Sequence, residues 1–290
     1  MPGETRRAVS AQPMWLRLVP RDRRLPEGAR VVFVGCGTSF HAAQYGGNSP
    51  GGWAMQSLEA VLSPPEADLM VCVSHEGETP LTLEAARAFS GPKWLVTGAP
   101  SSPLAEVAEV VVVATPAIER SWCHTASYTC AVAAIAALRG EEIEWLPEGV
   151  EEELALSEPT PTQSKILVAG AGRDWPTAQE AVLKLREGAW VSAGAHHVEQ
   201  LLHGHLAAVD DGVRAYVLEG EGRTVDRARD AVAALGELGC ETTLVPTRHP
   251  VVDIVRFQLL TLAIAEARGI DPDLIRRDDE RWARARAAYS

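Results

Sequence analysis

Short runs of β-branched and other apolar residues recur along the chain, at 31–34, 69–73, 94–96, 110–113, 166–169, 215–218 and 243–245. Each is followed by a glycine or polar turn and then by apolar positions at helical spacing, the pattern of parallel strand-to-helix units. The pattern predicts helices over 5–18, 38–47, 79–89, 121–139, 175–189, 223–238 and 251–267, with a last helix over the Arg- and Ala-rich stretch 278–289. Such alternation belongs to an α/β fold built on mainly parallel sheets.

One stretch breaks the alternation. Residues 141–163 hold three prolines, an acidic run Glu151-Glu152-Glu153 and no strand pattern, and read as a connection between two domains, 1–150 and 151–290. The two parts echo each other: Phe33-Val-Gly-Cys-Gly-Thr-Ser39 and Val168-Ala-Gly-Ala-Gly-Arg-Asp174 both run strand, Gly-x-Gly, helix. A duplicated domain is the economical reading.

Composition narrows the function classes. The 290 residues are 46% hydrophobic and 23% charged, an ordinary globular balance. A net charge of −12 argues against nucleic acid, whose phosphates need clustered Lys and Arg. Any anionic ligand has to be held by local groups. The five cysteines (Cys36, Cys72, Cys123, Cys130 and Cys240) are scattered and form no CxxC pair, so neither a disulfide framework nor a zinc site is indicated and a reducing cytoplasm fits. No targeting segment or membrane span is read; the weakly polar stretch 131–138 is too short to cross a bilayer.

Two loops carry the first candidate chemistry. Gly35-Cys-Gly37-Thr38-Ser39 lies between a strand and a helix, where glycines let the backbone approach a ligand, helix-start amides attract anions and the two hydroxyls add donors. The alternative is a tight turn with Thr38 or Ser39 as helix N-cap. Without a third glycine it is not a dinucleotide fingerprint. Ser74-His75-Glu76-Gly77-Glu78-Thr79 repeats the arrangement after the next strand; here the alternative is Thr79 capping a helix with Pro80 at its first position. Loops from neighbouring strands converge at the carboxyl edge of a sheet, where open α/β sheets bind ligands.

Together with Gly170-Ala-Gly-Arg173, Glu180-Ala-Val-Leu-Lys-Leu-Arg-Glu187 and His203-Gly204, these motifs resemble the sugar isomerase (SIS) domain family, with a likeness to the isomerase half of glutamine:fructose-6-phosphate amidotransferases. The likeness runs from about Thr5 to the tail as two tandem SIS domains, and the glutaminase half has no counterpart. It implies a flavodoxin-like sandwich in each part, a sugar phosphate as ligand, no cofactor and no bound metal. It also implies a homodimer with the active site at the subunit interface. Ser39, Ser74, His75 and Thr79 then occupy phosphate-binding positions beside Gly37 and Thr38, with His75 where Gln is usual. Glu76 departs from the pattern, which commonly has Ser there; a carboxylate repels a dianion and offers no donor when ionised. It turns away, or pairs with a cation, or the ligand is not a phosphate monoester.

In the second half, Lys184 and Glu187 lie three apart on one helical face, so both can reach one ligand; a solvated ion pair is the alternative. The resemblance makes Glu187 the base that moves a proton between sugar C1 and C2, which suits an enediol route. It makes His203 the ring-opening histidine, reaching in from the neighbouring subunit. Gln200 stands where Glu is usual, His205 where Pro is usual, and the tail lacks the amidotransferase's terminal lysine, so a Schiff-base role is not expected.

Six of the eight histidines (His75, His124, His196, His197, His203 and His205) fall in or beside the proposed loops. They suit a proton-handling or hydroxyl-binding pocket, or a divalent metal with Glu76, although His203-Gly-His205 lacks the helical spacing of strong metal pairs, or they have no role. Trp122 and His124 are expected near the ligand, and Trp175 either there or in the core. The expectation is a phosphosugar isomerase or related deaminase or deglycase; the alternative is a non-catalytic sugar-phosphate sensor on the same fold.

Overall fold

The computed structural model describes residues 3–156 and 164–289. In chain order its helices and strands are α1 (Glu4–Leu16), β1 (Val31–Gly35), α2 (Thr38–Gly47), β2 (Gly52–Gln56), α3 (Ser57–Leu62), β3 (Leu69–Val73), α4 (Pro80–Ala88), β4 (Lys93–Thr97), β5 (Val110–Val113), α5 (Ala126–Leu138), α6 (Leu146–Leu154), β6 (Lys165–Gly170), α7 (Trp175–Ala189), β7 (Ser192–His197), α8 (Val198–Leu202), β8 (Val213–Leu218), α9 (Arg223–Glu237), β9 (Glu241–Val245), α10 (Pro250–Arg268) and α11 (Glu280–Ala287). They build two wholly parallel sheets, ordered β2-β1-β3-β4-β5 and β7-β6-β8-β9. The α/β expectation holds, and each sequence-predicted strand lies within an observed one.

Period-two alternation sorts the strand residues into layers. Val32, Val34, Met70 and Cys72 pack outward with Ala60, Ala85 and Ala86 of α3 and α4. Val31, Phe33, Leu69, Val71 and Val73 face inward, as do Ile166, Val168, Tyr216 and Leu218 of the other sheet. These inner faces share one continuous core with residues of α2, α5, α6, α7 and α10. On the far side, Leu167, Ala215 and Val217 pack with Ala228, Ala231 and Leu235 of α9. Each sheet therefore has both faces covered, as parallel sheets require.

Several features differ from expectation: α3 and α8 were not predicted, and the helix expected over 121–139 starts only at Ala126, after a loop. The 141–163 stretch is not an open connection throughout: within it α6 buries Leu146 and Val150 in the shared core, and the division at 150 falls inside that helix. Residues 157–163 of the stretch lie outside the described residues. The strands β2 and β7 were not predicted; both lie at sheet edges, and their residues are mostly half-buried and contain no β-branched side chain. No helix among the described residues is long and apolar enough to cross a membrane.

A core continuous between the sheets predicts cooperative unfolding. Urea transitions followed at Trp53 or Trp94 and at Trp175 or Trp190, using single-tryptophan variants, should coincide. Phe33→Ala, removing a fully buried ring from that core, should lower both midpoints together, at a cost of about 3–5 kcal/mol.

Candidate active site

The carboxyl ends of β1 and β3, the loop before α5, one face of α7 and the segment before α11 meet at an open cleft of about 270 Å³. Its lining includes Thr38, Ser39, Ser74, His75, Glu76, Thr79, Trp122, His124 and Glu187. Eight of the sequence-predicted site residues are thus brought together. Gly37 stands behind them as the N-cap of α2, its φ of +55° in the region that favours glycine.

The capping alternative fails for the first loop, and for the second it holds in position, with Pro80 opening α4, but not in bonding. Neither Thr38 nor Ser39 is the N-cap of α2, and Thr79, at the N-cap of α4, makes no side-chain capping bond. The Thr79 hydroxyl instead lies 3.3 Å from Ser74 Oγ, which accepts from the Gly77 amide at 3.1 Å. Gly77 has φ +67°, and a β-carbon there would run into the Ser102 side chain, so the turn that presents Ser74 and Glu76 requires glycine. Glu76 faces the cleft and forms no hydrogen bond or ion pair among the described residues.

His75 is fixed from several sides. Its carbonyl accepts from Gly98 N–H at 2.9 Å and Thr97 Oγ1 at 3.0 Å, and its Nε2 accepts from Glu119 N–H at 2.9 Å. Its ring lies edge-on to His124 with centroids 5.2 Å apart. Burial, then the neighbouring His124, push its pKa down to about 4, so the ring is neutral near pH 7. Glu119, which sequence reasoning gave no role, is itself buried and accepts from Thr125 N, Thr125 Oγ1 and Ser127 N, each at 2.8 Å. It ties the start of α5 to the loop carrying Trp122 and His124.

Beneath the cleft lies a buried charge cluster. Lys184, 1% exposed, donates to Glu187 Oε2 at 2.7 Å and to Thr38 Oγ1 at 3.2 Å, and lies 3.3 Å from Glu180 Oε1. Glu180, fully buried, also accepts from Thr38 Oγ1 at 3.2 Å and pairs with His41 Nδ1 at 2.7 Å. The Lys184–Glu187 pair is therefore no solvated surface pair. Burial by itself would raise the Glu180 pKa, but Lys184 and His41 outweigh it and hold it low. Burial likewise opposes the charge on Lys184, yet Glu180 and Glu187 raise its pKa well above the ordinary lysine range. Glu180 and His41 were missed, although Glu180, Lys184 and Glu187 at i, i+4 and i+7 mark one helical face.

The remaining candidates lie elsewhere. His203 is 71% exposed, pairs with Glu199 at 2.8 Å and does not line this chain's cleft. His196 and His205 form a ring pair, and the His197 ring packs against Trp175, which borders the core rather than the cleft. No group of three or more His, Cys, Asp or Glu side chains is arranged to hold a metal among the described residues. Arg277 and Ile275 line the cleft without any signal in the local sequence.

Removing the cation from the cluster should be costly. Lys184→Met leaves Glu180 buried with only His41 and the Thr38 hydroxyl as partners, and chemical denaturation should show a loss of about 3–5 kcal/mol, partly recovered by adding Glu180→Gln. The His75 environment predicts an acid-sensitive stability difference. With a folded pKa of about 4 against an ordinary 6.5, the unfolded chain takes up the proton first as pH falls. The contribution is complete above about pH 6.5 and is lost as pH falls towards 4. Burial raises Asp174 to about 6 and Asp253 to about 7, which gives slopes of opposite sign. The measurement is accordingly the difference between wild type and His75→Gln, which should shrink across that window.

No protein-family model matches the chain. It is similar to the isomerizing glutamine–fructose-6-phosphate aminotransferase of Methanothermobacter thermautotrophicus, 26% identical over a gapped alignment of 313 positions that covers 89% of this chain and 52% of that protein. That of Thermus thermophilus is 29% identical over a gapped alignment of 330 positions, covering 93% and 54%. The chain spans about half the length of the curated relatives it matches. Among solved structures, the C-terminal domain of glucosamine-fructose-6-phosphate aminotransferase from Francisella tularensis superposes with a TM-score of 0.79 at 20% identity, covering 94% of this chain and 98% of that one. Tagatose-6-phosphate ketose/aldose isomerase from Escherichia coli gives 0.76 at 17% identity, covering 94% and 95%. Glucosamine-6-phosphate deaminase from Thermotoga maritima gives 0.76 at 18%, covering 94% and 97%. The chain thus shares the fold of these phosphosugar-processing proteins.

Proposed function

We propose that the chain is a cytoplasmic, cofactor-free phosphosugar enzyme, an aldose–ketose isomerase or a deaminase or deglycase working through the same enediol or enolamine. Its two sheets are read as two tandem copies of one domain. The observation that carries the reading is Glu187: a carboxylate lining a cleft ringed by hydroxyl-bearing loops and gripped from below by a buried ammonium. Relatives and structural neighbours that act on hexose phosphates support the substrate class.

In this scheme the open-chain sugar lies with its anionic end toward Ser39, Ser74 and Thr79. Glu187 takes the proton from the carbon next to the carbonyl and the electron pair shifts to give an enediolate; the hydroxyl proton on that carbon passes to the former carbonyl oxygen, and the same carboxyl returns its proton to the former carbonyl carbon. Lys184 holds the carboxylate in one orientation through the 2.7 Å bond. The neutral His75 and the adjacent His124 contact hydroxyls of the sugar. His203, exposed on its own chain, opens the ring in the cleft of a partner subunit, which makes the working unit a homodimer.

Proton exchange at C2 of fructose 6-phosphate or glucosamine 6-phosphate, followed by NMR, tests the scheme. Glu187→Gln should lower exchange by about 10²- to 10⁴-fold with little change in ligand affinity; undiminished exchange would sink the assignment of the base. If sites are shared, mixing Glu187→Gln with His203→Ala chains should restore activity, since each mixed dimer holds one intact site. Ligand binding without exchange by the wild-type protein would favour the sensor reading.

A further inference from the structure

The hydroxyl-bearing loops contribute no cation to the cleft. Glu76 and Glu187 both line it, Lys184 lies beneath it bonded to Glu187, and burial keeps His75 neutral near pH 7. The only Arg or Lys among its described lining residues is Arg277, from the segment between α10 and α11. Its guanidinium carbon lies over the Trp122 ring, 3.5 Å from the centroid, and it has no ion-pair or side-chain hydrogen-bond partner among the described residues. Stacking of this kind holds the planar fork in place while leaving its N–H donors free.

The segment that delivers Arg277 is held at several points. The Asp273 carboxylate accepts from the Glu4 and Thr5 amides at 2.7 Å each and from Thr5 Oγ1 at 2.6 Å, which ties the segment to the start of α1. The Asp273 carbonyl accepts from Trp122 N–H at 3.0 Å, fixing it to the loop that carries the stacking ring. Arg276 lies over both Trp190 and Trp282, at 3.8 and 4.1 Å from their centroids. Between these anchors Ile275 and Arg276 have φ of +41° and +60°, a left-handed conformation costly for any non-glycine residue and most of all for a β-branched one. The strained turn brings Ile275 and Arg277 to the cleft.

We propose that Arg277 is a substrate-binding residue, the cation that grips the phosphate of the sugar phosphate and offsets the repulsion from Glu76. The assignment rests on the sugar-phosphate reading given above and adds to it a selectivity determinant outside the hydroxyl loops. A guanidinium presents paired N–H donors to phosphate oxygens, so one residue supplies both charge and hydrogen bonds where Glu76 supplies neither.

The test is calorimetric titration of the full chain with fructose 6-phosphate and glucosamine 6-phosphate at several salt concentrations. Arg277→Met should weaken binding about ten- to a hundred-fold and flatten the dependence of affinity on salt. Arg277→Lys should fall between the two, and Glu76→Ser should tighten binding in the wild-type background. Unchanged affinity and salt dependence in Arg277→Met overturns the Arg277 assignment alone, as does weaker binding with an unchanged salt dependence, the mark of lost stacking rather than lost charge. Failure of the wild-type protein to bind either sugar phosphate overturns the functional reading and this assignment with it.

Discussion

The cleft depends on one buried ammonium. Lys184 is 1% exposed and touches Glu180, Glu187 and Thr38 at once. Glu180 and Glu187 belong to α7, which follows the second sheet, whereas Thr38 opens α2, which follows the first. Taking such a charge out of water is expensive and is tolerated only when its partners are close and well hydrogen-bonded. Those bonds leave little freedom in the relative placement of α2 and α7. The hydroxyl loop at the end of β1 and the carboxylate on α7 are thus held in register by a group that need not itself touch a ligand.

The shared core makes that register stiff. Six helices and the inner faces of both sheets contribute to one apolar cluster, so a shift of α7 against α2 would have to repack residues from both halves. The polar cluster alone could not do this, since its members sit on flexible stems. Packing supplies rigidity, and the ion pairs supply the specific alignment. His41 and Glu180 extend the alignment one step further, joining the two helices by a further bond at 2.7 Å.

The sequence made the local features legible and left the tertiary ones hidden. The central strands were readable because they are buried on both faces and therefore apolar throughout, as in 31–34 and 69–73. Two of the four edge strands, Gly52–Gln56 and Ser192–His197, take their form from pairing on one side, and their composition carries no strand signal. The helix α6 was obscured by a proline and an acidic run, although Leu146, Val150 and Glu153 fall on one buried face. At the site, Thr38, Ser39, Ser74 and Thr79 announced themselves because a glycine turn after a strand is a local event. Glu119 and Arg277 lie outside those turns, and only the folded chain shows that one fixes His75 and the other enters the cleft.

The charge of the chain then takes on a spatial meaning. At −12 overall, the protein offers no long-range attraction for an anion, and Glu76 adds a carboxylate at the cleft itself. Selectivity for a phosphate under those conditions has to come from short-range, directional contacts, because diffuse attraction points the wrong way. On the proposed reading, hydroxyls from two loops satisfy part of that need but carry no charge. A stacked guanidinium on an anchored, strained turn satisfies the rest. The left-handed backbone at Ile275 and Arg276 is understandable on this basis: conformational strain persists where surrounding contacts over-determine it, and here they fix the one cation that lines the cleft among the described residues.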